Sequence, residues 1–199
     1  MTKNSIILAV EDPLSETVAK EMLNQSDNDF YVTNCLGKRG FGYIKAKIDS
    51  FNKAAKSLPF LILIDQDYGC PPEKIRLWLS QKPNPNLIFR VAVMEIESWV
   101  MADREAFAKF LSIPISRLPS HMDKIIEPKQ FLINTVKRSR SKRLIKDIAP
   151  APNSTAHIGP NYNARLSDFV QHCWNVYEAI KYSESLRRAF NRIQGFKKF

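Results

Sequence analysis

Three short apolar runs, each about one strand long and closed by acids, constrain this chain more than any other feature. Residues 5–11 (SIILAVE), 59–64 (PFLILI, then Asp65) and 87–94 (LIFRVAVM, then Glu95) are rich in Ile, Leu, Val and Phe with almost no polar interruption. Such runs suit strands buried on both faces, as in parallel sheets covered by helices. Residues 30–36 (FYVTNCL) alternate well enough for a fourth strand.

Helical patterns separate the runs. Leu14, Val18, Met22 and Leu23 fall at helical spacing within 14–23, and Ile44, Ile48, Phe51 and Ala55 share one face of 43–56. A short helix is expected over 73–80, entered through Pro71-Pro72, where a missing N–H does no harm. Gly37, Gly40 and Gly42 mark a loop, 82–86 marks another, and 95–110 reads as helical. This alternation predicts an α/β fold, a mostly parallel four-stranded sheet with helices on both faces. The second half has no comparable strand signal. Prolines at 114, 119, 128, 150, 152 and 160 divide it into short helices, the clearest at 130–138, 166–180 and 183–195. The last carries a basic face at Arg187, Arg188 and Arg192. The expected organisation is an α/β domain over 1–112 and a basic helical extension over 113–199 packed on it.

Charge divides along the same line. Residues 1–100 hold 12 Lys and Arg against 12 Asp and Glu, so residues 101–199 carry the entire net charge of +10. A neutral half with acidic clusters joined to a basic half suits an enzyme acting on a polyanion, the basic half neutralising phosphates and the acidic half holding metal. The alternative is a basic protein with no nucleic-acid role. No apolar run approaches the ~20 residues a membrane span requires. Cys35, Cys70 and Cys173 are odd in number and form no CxxC, so neither a disulfide framework nor a thiolate zinc site is expected. A reducing cytoplasm is the expected location.

The acids at the strand ends are Glu11 and Asp12, Asp65 and Asp67, and Glu95 and Glu97. In open parallel sheets, ligands bind at the carboxyl ends of strands, where these groups would converge. Hard oxygen donors suit Mg2+ or Mn2+, and such ions assist in-line phosphoryl displacement. Asp65 and Asp67, two apart, share a side if the strand runs through them. Each acid also has a plainer reading. A DxD after a strand serves equally as a loop or helix cap, Glu16 as a first-turn helix acid, and Glu95 with Glu97 as a solvated helix start.

The series VEDPLSE (10–16), LIDQDYG (63–69) and EIESWVMAD (95–103) resembles the Toprim fold of topoisomerases, primases and OLD-type nucleases. It is more similar still to a group of Toprim-like bacterial proteins, some of them in anti-phage defence loci. The resemblance covers roughly residues 5–105. It implies a magnesium-binding glutamate at Glu11 and a magnesium-binding pair at Asp65 and Asp67. OLD-type nucleases often follow that first Glu with Gly and place a second Glu four residues on; here Asp12 replaces the Gly and Glu16 lies five on. What the resemblance implies is a metal-dependent nuclease cutting DNA or RNA phosphodiesters. Glu11, Asp65, Asp67 and Glu97 would hold metal, and Glu95 or Glu97 would complete the shell or position water. The alternative is a non-catalytic nucleic-acid-binding or regulatory subunit working with an ATPase partner.

Phosphate contacts are expected at Lys38 and Arg39, in GKRGFGY, and along Lys137, Arg138, Arg140, Lys142 and Arg143. The first segment lacks GxxxxGK[ST], which disfavours a nucleoside-triphosphate site. Trp99 reads as a core anchor rather than a base-stacking platform. His157, in the Pro/Gly-bounded NSTAHIGPNY, is either a general base or phosphate ligand or an ordinary loop histidine. His121 and His172 have no ligand-like spacing.

Overall fold

The structure, a computed structural model, describes residues 4–37, 40–66 and 71–197. Strands β1 (Asn4–Val10), β2 (Phe30–Gly37), β3 (Phe60–Gln66) and β4 (Leu87–Val93) form an all-parallel sheet in the order β2-β1-β3-β4. Helices α1 (Pro13–Asn24), α2 (Phe41–Ala54) and α3 (Pro71–Trp78) make the crossovers. Then follow α4 (Ile96–Ala102), α5 (Arg104–Leu111), α6 (Pro128–Val136), α7 (Lys142–Ile148), α8 (Tyr162–His172), α9 (Val176–Ala179) and α10 (Glu184–Gln194). Single 3-10 turns occur at Ile115–Arg117 and Met122–Lys124. The α/β architecture with a helical C-terminal region is as the sequence predicts. None of the described helices is long and apolar enough to cross a membrane.

The two-residue side-chain period of a strand builds two cores at once. Ile6, Leu8 and Val10 of β1 point to one face with Leu61, Leu63, Ile88 and Ala92. Ala9, Ile62, Ile64, Phe89 and Val91 point to the other. Right-handed crossovers then fix where the helices lie. The chain leaves β1 towards β2 through α1 on the first face. It returns over β1 to β3, and on to β4, through α2 and α3 on the second. The reversal of direction opens a crevice between the carboxyl ends of β1 and β3, the place where such sheets bind ligands. Buried residues of α4, α5, α6, α8, α9 and α10 join α1 in the first-face cluster, so the second half packs on the sheet through one continuous apolar core.

Several element boundaries differ from the sequence reading. Helix α2 begins at Phe41, inside the expected glycine loop. The single helix expected over 95–110 is two, broken at Asp103 (φ −76°, ψ 78°). Polar contacts hold the break. Asp103 accepts hydrogen bonds from the N–H groups of Ala106 (3.2 Å) and Asn175 (2.9 Å), and the Trp174 indole donates to the Trp99 carbonyl at 3.1 Å. The helix expected over 166–180 likewise ends at His172, with α9 separate. Helix α7, inside the basic run, has no counterpart among the expected helices; Ser141 caps it by accepting from Leu144 N–H. Trp99 is fully buried, its Nε1 donating to Ser185 at 2.7 Å, and is a core anchor.

Candidate functional site

Main-chain pairing between β1 and β3 ends at Val10 and Leu63. Beyond it the Glu11 side chain takes over: Oε1 accepts the Asp65 N–H at 3.0 Å, tying the two strand ends across the crevice. Gly37 makes the approach from β2 possible. It lies opposite Val10 with φ 98°, and a Cβ there would come within 2.1 Å of the Val10 carbonyl. The Gly40 N–H then donates to the Glu11 carbonyl at 3.2 Å.

Asp65, near the end of β3, reaches the next strand connection. Its Oδ1 accepts the Ile96 N–H at 2.9 Å, fixing the start of α4. Met94, between β4 and that helix, has φ 67°, a conformation costly for a side chain with a Cβ. This turn is where Glu95 and Glu97 take separate directions. Glu95 Oε2 accepts the Lys129 N–H at 2.7 Å, satisfying a donor in the first turn of α6, where a carboxylate is also favoured by the helix dipole. Glu97 turns inward and is 2% exposed. Its Oε1 accepts from the Tyr162 hydroxyl at 2.8 Å, while Oε2 is buried with no hydrogen-bond partner among the described residues.

Lys129 and Tyr162 are the site members that the sequence did not signal. Lys129 Nζ lies 3.5 Å from Glu97 Oε1 and 3.7 Å from Glu95 Oε1. Tyr162 opens α8, and its position is set by the preceding turn. Gly159 N–H donates to the Ile148 carbonyl (2.8 Å), and Asn161 donates to Asp147 through both its backbone and its side-chain nitrogen (both 2.9 Å). A Cβ at Gly159 would meet the Asp147 carbonyl at 2.5 Å, so the turn requires glycine.

The electrostatics follow from crowding acids in a partly dry crevice. Burial raises the Asp65 pKa well above its ordinary 3.8, and the charges of Glu97, Asp12 and Glu11 add to the rise; Lys129 opposes it. Burial also raises Glu97, against the opposing pull of Lys129 and the Tyr162 hydrogen bond. For Lys129, burial works against the charged form, but Glu97, Glu95, Asp65 and Asp12 together outweigh it and raise the pKa. Burial and Glu97 raise Tyr162, which stays protonated as a donor. The donors are hard carboxylate oxygens, the type that Mg2+ and Mn2+ prefer, and one of them is buried with no hydrogen-bond partner among the described residues. Among the described residues no three His, Cys, Asp or Glu side chains form a ready-made metal shell, and the positive charge at the cluster is the Lys129 ammonium.

The remaining sequence candidates divide plainly. Glu11, Asp65, Glu95 and Glu97 come together. Asp67, Lys38 and Arg39 lie outside the described residues. Asp12 caps α1, accepting from Ser15 N–H at 2.8 Å, and Glu16 pairs with Lys20 at 2.7 Å in the same helix. Lys137, Arg138, Arg140, Lys142 and Arg143 are exposed beyond the far end of α6. Eight residues of helix put Lys137 about 12 Å along the axis from Lys129. His157 instead lines a cleft of about 410 Å³ that begins at Glu95 and Lys129. Compared with protein-family models, curated proteins and solved structures, the chain finds no match.

Proposed function

We propose that this chain is a Mg2+- or Mn2+-dependent phosphodiesterase acting on nucleic acid, a nuclease of the kind its Toprim-like motifs imply and a candidate defence effector. The observation that carries the reading is the convergence of Glu11, Asp65, Glu95 and Glu97 from three strand ends, with a buried Glu97 oxygen left unpartnered among the described residues. Glu11, Asp65 and Glu97, with Asp67 added on the resemblance, would hold the cation. A cation bound there supplies charge neutralisation at phosphoryl oxygens and acidifies water. Glu11 and Asp65 hold the strand ends and the start of α4 in register through their backbone hydrogen bonds. Tyr162 keeps Glu97 oriented by donating to one oxygen. Glu95, half-buried at the cleft mouth, orients water or completes the shell. Lys129 balances charge and lies near enough to meet an incoming phosphate.

Asp65→Asn and Glu97→Gln should lower metal-dependent cleavage of plasmid, single strands and tRNA by at least about 100-fold, the loss expected when several kcal/mol of charge stabilisation goes. The variants should stay folded at the assay temperature, and nucleic-acid binding should change little. Full activity in both variants would overturn the reading.

A second reading has its own support: Lys129 already neutralises the acids, as a structural cation would. On this view the chain is a nucleic-acid-binding or regulatory subunit of an ATPase-associated complex. Calorimetry with Mg2+ and Mn2+ separates the two. Metal binding without cleavage by the chain alone, with cleavage once an ATPase partner is added, favours the regulated subunit.

A further inference from the structure

The cleft beside the carboxylates has a wall unlike the rest of the site. Glu95 and Lys129 belong to both. Past them, Met94 and Ile133 form an apolar wall, and Ile126 stands at the rim 72% exposed. Gln130, exposed on the first turns of α6, and His157, exposed on the loop between α7 and α8, supply polar groups. That loop is clamped at its base by the Gly159-to-Ile148 hydrogen bond, so His157 is presented from a fixed stem.

This composition decides between two kinds of occupant. A phosphate would favour a cluster of cations, but the cleft sets Glu95 and Glu127 against Lys129 and a single histidine. A neutral, flat group with hydrogen-bonding edges suits it better. Aliphatic side chains and an imidazole ring accept an aromatic face, and the Gln130 amide both donates and accepts along an edge. A volume of about 410 Å³ lies at the small end of ligand clefts, room for one nucleotide unit and not for a stacked base pair. A base held in a duplex is stacked above and below and has to be turned out to enter such a cleft.

We infer that the cleft binds one unstacked nucleobase next to the carboxylates, where a cation would meet the adjoining phosphate, so that the substrate is single-stranded nucleic acid. The inference rests on the proposed function and adds the strandedness of its substrate. It is separable from phosphate affinity, which belongs to the exposed basic run.

The test uses the full chain in EDTA and fluorescence anisotropy with dye-labelled 12-residue single strands of DNA and RNA. The matching duplexes and a fully abasic strand with the same number of phosphates complete the set. The natural single strand of at least one sugar type should bind about tenfold more tightly than the abasic strand, the scale of a base stacked on a protein surface. It should also bind more tightly than its duplex. Ile126→Ser and His157→Ala, both at exposed positions, should bring natural-strand affinity down towards the abasic value and leave the abasic value and the calorimetric Mn2+ affinity unchanged. Equal affinity for natural and abasic strands would overturn the inference, as would a duplex bound as tightly as its single strand. A loss in the variants that is equal for natural and abasic strands would overturn it too, assigning the cleft to phosphate. In each of those cases metal-dependent cleavage lost in Asp65→Asn would still stand for the proposed function. Failure of any strand to bind would overturn the inference and leave the proposed function to the cleavage assay.

Discussion

Glu95 and Glu97 are two residues apart and chemically alike, yet they do different things. Glu95 faces the first turn of α6 and the cleft; Glu97 is buried against Tyr162 with one oxygen unpartnered among the described residues. The left-handed backbone at Met94 feeds this divergence. Residues two apart on a helix do not face the same way, but that spacing names no partner for either. Burial makes Glu97 and Asp65 costly when charged, and this has a measurable sign. Both pKa values lie above their ordinary 4.5 and 3.8, so the folded chain binds more protons than the unfolded one over the interval between. Stability of the metal-free protein is therefore greatest below the ordinary values and falls as pH rises towards the raised ones. Urea unfolding in EDTA between about pH 4 and 8 should show this decline, and Asp65→Asn or Glu97→Gln should flatten it. A slope unchanged in both variants would mean that neither acid is responsible.

At the scale of elements, the strands were legible and the helix ends were less so. Three strands are apolar runs with local stops and β2 alternates up to Gly37, whereas WVMADREAF contains no Gly or Pro and its periodicity runs straight through Asp103. What breaks the helix is remote: Asn175 and Trp174 supply donors that compete for Asp103 and for the Trp99 carbonyl. Asp103→Ala removes a cap for α5 and an acceptor for the Asn175 N–H together. It should cost about 2 kcal/mol in urea unfolding, with Asp103→Asn recovering part of the loss. A cost near zero would show that the two helices hold their angle without it. Helix α7 was missed because its basic residues read as a charge run, although Ser141 carries an ordinary cap signal.

Over the whole molecule, the carboxylates and the basic run occupy different places. The carboxylates sit at the crevice of the sheet, and the basic run lies exposed beyond the opposite end of α6. Replacing Lys137, Arg138, Arg140, Lys142 and Arg143 with Ala should weaken nucleic-acid binding and lower the slope of log affinity against log salt. The slope should fall by about 0.7 for each phosphate of a single strand that is no longer neutralised. Turnover of a small phosphodiester with no backbone to grip should stay the same; a parallel loss in that assay would place the run within the reacting site. The sequence by itself determined the α/β class, the placement of acids after strands and the basic character of the second half. Periodicity, strand termination and charge are local properties of a chain. Which acids meet, and what meets them, was decided by tertiary structure alone. Lys129 reaches Glu95 from 34 residues away and Tyr162 reaches Glu97 from 65 away. Those contacts exist because α6 and α8 bury their apolar faces against the same side of the sheet, and nothing in either segment names the partner it will find.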